Sequence, residues 1–259
     1  MKRSLSAMLA IARYTALEAL RTRYVWLVLA LVGAGMAVAA FTGDLAITET
    51  VQTQAAITTA ILRFAAVILV MLFVTTSVHR DFSDKSVELM LSLPLPRSGY
   101  YLGKLAGYAL VAALTAVPLC ALALFLVPHT ASLVWGASLV LELLLVCAVS
   151  LLFAFAFGQV TAAISATLLF YLLGRSIAAI QLMAHGPLAD QGQTSQRVMT
   201  GLVDGLAYLL PDLDRFSQSV WLLYPGNTAG VLEPLLTQAL IYILLISAVA
   251  LFDLNRKNF

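Results

Sequence analysis

Six long apolar runs, parted by short polar islands, set the plan of this chain. They fall at residues 24–41, 58–78, 103–127, 133–157, 160–183 and 235–252. Each has the roughly 17–25 residues that a helix needs to cross a hydrocarbon layer about 30 Å thick. The pattern predicts six transmembrane helices, the fourth and fifth joined only by a tight turn near Gly158-Gln159. Ahead of the first run, Leu5, Met8, Leu9, Ala12, Ala16 and Leu20 recur at helical spacing, with Arg13, Glu18 and Arg21 elsewhere on the wheel. This predicts an amphipathic helix over 4–23 lying in the bilayer interface, with Arg21, Arg23 and Trp26 at the water boundary. Between the fifth and sixth runs, over 184–233, Val198, Met199, Leu202, Val203, Leu206, Leu209 and Leu210 form a second stripe. It is too short to span and predicts an interfacial or re-entrant helix, closed by Pro211. The fold class is all-α and polytopic, with one membrane domain over 1–259.

Composition agrees with the pattern. The chain is 61% hydrophobic and 11% charged, against roughly 25% charged in a soluble domain. A separate soluble catalytic domain has no sequence to occupy. Cys120 and Cys147 lie inside apolar runs, where a cysteine serves as a small apolar residue. Charge sets orientation. With the N-terminus inside, Lys2, Arg3, Arg13, Arg21, Arg23, Arg80, Lys85, Arg97, Lys104, Arg256 and Lys257 lie on the cytoplasmic side, 11 of the 15 lysines and arginines. The outer segments carry Asp44, Glu49, Asp190, Asp204, Asp212, Asp214 and Glu233. Both termini are therefore expected in the cytoplasm of a bacterial cell, with the chain in its inner membrane.

The most informative island is His79–Lys104, HRDFSDKSVELMLSLPLPRSGYYLGK. Ser83 is placed to cap a short helix, with Asp84 in its first turn. Phe82, Leu89 and Leu93 would fill a partner's groove while Asp81, Lys85 and Glu88 fix the register by charge. Pro94 and Pro96 end the helix, and Arg97 and Lys104 hold the next span at the lipid headgroups. Gly99, Gly103 and Gly107 share one helix face, which predicts close approach of another backbone.

The order of Asp81, Ser86, Glu88, Leu89, Leu91, Pro94, Pro96, Arg97, Tyr100, Gly103 and Lys104 resembles the first cytoplasmic loop of ABC-2 type transporter permeases. That resemblance implies an exporter subunit with a coupling helix over 81–93, on which a separate ATP-binding cassette ATPase docks. It also implies a second permease copy, a homodimer or a heterodimer, with ATP and Mg²⁺ held by the ATPase and no cofactor on this chain. A looser resemblance, carried by LPDLDRF at Leu210–Phe216, is to permeases tied to the maturation of multicopper enzymes such as nitrous oxide reductase. It implies a role in delivering a sulfur or metal species to an exported enzyme, with a periplasmic partner. Nucleic acid is not among the expected partners.

Motifs for chemistry are missing from the sequence. Gly99–Leu105 is one residue short of a phosphate-binding loop and lacks its Ser or Thr, and there is no HExxH or GxSxG. His79, His129 and His185 have no ligand spacing, so no metal site is expected. Pro118 predicts a kink in the third span. Glu142 lies deep in the fourth span, where a carboxylate costs about 2.5–3.5 kcal/mol unless it pairs or faces the bundle interior. Arg175, at similar depth in the fifth span, is the predicted partner. The pair either holds the structure together or lines a substrate path. Two other functions fit a chain of this composition: an ion-coupled secondary carrier, and a non-transporting scaffold of a maturation or assembly complex.

Overall fold

The computed structural model describes residues 2–45, 50–84, 97–127, 129–185, 194–218 and 230–256. Eight α-helices lie among them: α1 Lys2–Arg21, α2 Tyr24–Leu45, α3 Thr50–Ser83, α4 Arg97–Leu126, α5 His129–Ala156, α6 Val160–Ala184, α7 Thr194–Leu209 and α8 Leu232–Arg256. A 3₁₀ turn, Asp214–Ser217, follows α7. Six helices, α2–α6 and α8, are long and apolar enough to cross a membrane. The chain is a multi-pass, all-helical membrane protein.

Helix α5 is the axis of the bundle. Leu139, Leu143, Leu145, Val146, Cys147, Ala148 and Leu151 are all buried, because α3, α4, α6 and α8 pack around it. A helix apolar on every side is stable only where other helices cover it. Helix α8 offers α5 a single stripe, with Leu235, Ala239, Ile246, Ala250 and Leu254 buried. Helix α2 is peripheral. It packs on α3, while Trp26, Leu29, Met36 and Phe41 stay exposed, as suits lipid. The turn between α5 and α6 is as short as expected, with Ala163 N–H bonded to Gln159 C=O at 3.1 Å. Helix α4 continues through Pro118.

The ends of the second span differ from expectation. Helix α3 starts at Thr50 and runs to Ser83, well beyond the apolar run at both ends. Ser83 is therefore the last residue of α3, and the short helix expected after it lies outside the described residues. Ser83 Oγ donates to His79 C=O at 3.0 Å, and Asp84 N–H still bonds Arg80 C=O at 2.9 Å. Helix α1 packs on α4 through Ile11, Ala12, Thr15 and Ala19. Leu9 and Leu20 of the predicted stripe stay exposed, along with Tyr14, as residues that meet lipid would.

Outside the bundle, α7 packs on α6. Asp204 faces Gln181 and His185, whereas Val198, Met199, Leu202 and Leu206 are exposed. Most of the stripe points away from the protein, as an interfacial helix needs, while Val203 and Leu210 are buried against it. The LPDLDRF segment folds back onto α6. Leu213 and Phe216 are fully buried, and Leu213 N–H bonds Gly174 C=O at 3.0 Å. A β-carbon on Gly174 would meet Pro211 C=O at 3.0 Å, so the glycine makes room for this segment.

Candidate functional site

The stems of the charged island are fixed from both sides. On the incoming stem, Asp81 forms an ion pair with Lys104 of α4. Phe82 packs edge-to-face on Phe155 of α5, with ring centroids 5.9 Å apart. Asp81 and Phe82, expected to face a partner, instead hold the end of α3 to its own bundle. Lys104, expected among lipid headgroups, is 1% exposed, and its Nζ lies 5.6 Å from the centre of the Tyr108 ring. A buried ammonium needs such a counter-charge, since an unpaired one is expensive to desolvate. On the outgoing stem, Arg97 Nη1 donates to the carbonyls of Leu254 at 2.8 Å and Asn255 at 3.1 Å. A cation at those carbonyls also suits the negative end of the α8 dipole. Lys85, Glu88, Leu89, Leu93 and Pro94 lie outside the described residues.

A polar chain next to the incoming stem ties three helices together. Tyr108 Oη of α4 donates to Ser77 Oγ of α3 at 3.0 Å. Ser77 Oγ in turn reaches both carboxylate oxygens of Glu18 on α1, at 3.1 Å each. The glycine stripe lies alongside. A β-carbon on Gly107 would stand 2.6 Å from Thr15 Cβ and 3.0 Å from Ala12 C=O. One on Gly103 would stand 3.0 Å from Ile11 Cβ, and Gly99 is buried as well. The stripe is thus a seat for α1, which supplies the three atoms nearest a β-carbon at Gly103 and at Gly107.

Deeper in the bundle, Glu142 of α5 is fully buried between two arginines. Its Oε2 accepts from Arg63 Nη1 at 2.6 Å, and Arg63 is 1% exposed. Its Oε1 accepts from Tyr171 Oη at 2.9 Å. Arg175 Nη1 stands 3.6 Å from Oε1 and donates to Tyr171 Oη at 3.1 Å. Arg63 Nη2 also donates to Ser138 Oγ at 2.8 Å and Trp135 C=O at 3.2 Å. Its guanidinium carbon lies 5.1 Å from the Trp135 ring centre. Both terminal nitrogens of the Arg63 head therefore have hydrogen-bond partners, and one face of its plane has an aromatic ring. The expected Glu142–Arg175 contact is present, but the principal partner is Arg63 of α3. Among the described residues, no group of three His, Cys, Asp or Glu side chains is placed to share a metal ion.

The profile of the ABC-2 family transporter protein matches residues 21–202, well over half the chain. The chain belongs to the ABC-2 transporter family. The match runs from the end of α1 into α7 and includes both stems and the Arg63–Glu142–Arg175 cluster. Comparison with curated proteins returns no match. An ABC-2 permease is in general a non-enzymatic membrane component of its transporter. The LPDLDRF segment lies beyond the matched residues, and the burial of Leu213 and Phe216 gives it a packing role.

Sequence reasoning missed Arg63 in this ABC-2 permease for a definable reason. The apolar run begins only at Thr58, which sets Arg63 five positions from its start against nine for Glu142 in the 133–157 run, and leaves Thr50–Gln54 outside it. They are helical, and Arg63 and Glu142 both lie thirteen positions from the first residue of their helices, Thr50 for α3 and His129 for α5. The signal was available: Arg63 is the lone charge in its apolar run.

Proposed function

We propose that this permease is the membrane-spanning part of an ATP-driven exporter and that a separate ATP-binding cassette ATPase docks on the 84–96 segment. The observation that carries the proposal is the anchoring of both stems. Asp81–Lys104 and Phe82–Phe155 tie the incoming stem to α4 and α5, and Arg97 ties the outgoing stem to α8. A lever transmits motion only if its root is stiff. Movement of the 84–96 segment by an ATPase would be passed directly to four spans. Lys85, Glu88, Leu89 and Leu93 supply the docking contacts, and Pro94 ends the segment. ATP closes the ATPase pair, the segment moves, and the bundle repacks against a second permease copy to open outward. ATP and Mg²⁺ stay with the ATPase. Both termini lie in the cytoplasm, where the 84–96 segment meets its partner.

The test is affinity capture of the detergent-solubilised protein from its native host, wild type beside Glu88→Arg. Recovery of an ATP-binding cassette subunit by wild type, with loss in the variant, is expected. Stable wild-type protein that recovers no such subunit would overturn the proposal in favour of a lone carrier or a scaffold.

A further inference from the structure

A groove of about 560 Å³ opens where α1, α2 and α3 meet. It lies at one membrane boundary, since α2 begins there at Tyr24 and α3 ends there at Ser83. Its chemistry divides by depth. The mouth carries Arg23 and Arg80, together with Glu18 and Ser77. Below it the wall is apolar, formed by Tyr24, Leu27, Leu69, Leu72 and Phe73. Tyr24 and Phe73 make a firm floor, with ring centroids 4.5 Å apart, while Leu27 and Leu72 remain exposed.

The charges at the mouth are unequal. Glu18 uses both carboxylate oxygens on Ser77. Arg23 and Arg80 are exposed, and neither has an ion-pair partner among the described residues. Two guanidiniums above an apolar channel, at the level of the headgroups, complement one kind of molecule. Guanidinium binds phosphate oxygens in a fork, and a zwitterionic headgroup adds a cation of its own that offsets the attraction. Basic pockets between membrane helices favour anionic lipid for the same reason.

We propose that this groove binds an anionic glycerophospholipid, its phosphate between Arg23 and Arg80 and an acyl chain along Leu27, Leu69 and Phe73. The bound lipid would fill the gap between α1 and the α2–α3 pair and hold the Glu18–Ser77 contact in place. The proposal rests on the membrane placement of α2 and α3 and not on an ATPase, so a failed affinity capture leaves it standing.

Native mass spectrometry of the purified full chain tests it, with dioleoyl phosphatidylglycerol and dioleoyl phosphatidylcholine as probes. Two cations at about 1 kcal/mol each predict about thirty-fold preference for phosphatidylglycerol. The preference should vanish in Arg23→Gln/Arg80→Gln and persist in Arg13→Gln/Arg21→Gln, which removes the same charge from α1 outside the groove. Inorganic phosphate at equal concentration should not displace the lipid. Equal affinity for the two lipids, full preference in the groove variant, or displacement by phosphate alone would overturn the proposal. Should the groove variant fail to fold, a phosphatidylglycerol with a photoactivatable acyl chain is applied to wild type. Cross-links at 24–27 and 69–73 are expected, and cross-links confined to other segments would sink the idea.

Discussion

Glu142 shows how one residue organises its surroundings. A carboxylate with no exposure, inside an apolar bundle, must be neutralised where it stands. Arg63 does this at 2.6 Å with almost no exposure of its own, whereas Arg175 is 28% exposed and 3.6 Å away. The two arginines are therefore unequal. Breaking a buried pair by removing one partner costs about 3–5 kcal/mol, because the other charge is left stranded. A partly exposed contact is worth about 1 kcal/mol or less. Arg63→Met and Glu142→Gln should each lower the unfolding midpoint far more than Arg175→Gln does. Cys147, a fully buried free thiol, offers a built-in readout through a thiol-reactive fluorogenic dye in detergent. If Arg175→Gln unfolds as early as Arg63→Met, the ranking is wrong. If all three variants keep the wild-type midpoint yet lose transport, the cluster lines a path and is not a structural pin.

At the scale of the element, α1 is held by shape. Its buried face consists of small or branched residues, Ile11, Ala12, Thr15 and Ala19, set against glycines that let the backbones approach. Gly107→Leu should force Thr15 and the Ala12 carbonyl aside, at a cost of about 1–3 kcal/mol. Gly33→Leu provides the contrast, because nothing lies within 4 Å of a β-carbon there. Limited trypsin digestion after Arg13 and Arg21, both exposed, should accelerate in the Gly107 variant alone. Equal rates in the two variants would mean that the glycine seat does not hold α1. This helix also marks where sequence stops being legible. Run length against bilayer thickness defines the six spans, and four-residue glycine spacing announces close packing. Neither names the helix that approaches. Leu9 and Leu20 share one stripe with Ala12, yet Ala12 is buried and the leucines face outward, because lipid accepts leucine as readily as a protein interior does. The Asp81–Lys104 pair was equally hidden: two charges on different helices look solvated until the fold places them together.

For the whole molecule, the question is how displacement of the 84–96 segment reaches the bundle. The Phe82–Phe155 contact joins the segment to α5, the axis on which α3, α4, α6 and α8 pack. Asp81–Lys104 joins it to α4, which also carries α1. Binding of the ATPase and transmission of its motion are therefore separable. Glu88→Arg acts on the proposed docking surface and should abolish capture. Phe82→Ala leaves that surface intact but removes the ring that bears on α5. It should retain the ATPase at wild-type levels and lose most of the transport that accompanies each round of hydrolysis. The measurement is ATP turnover alongside substrate release in proteoliposomes made with the captured ATPase, its substrate supplied from the host extract. A turnover-to-transport ratio raised about ten-fold or more in Phe82→Ala, with the thermal midpoint within a few degrees of wild type, is the signature of a loosened root. An unchanged ratio would show that force enters through the Arg97 stem and α8, and the incoming stem would then be structural support only.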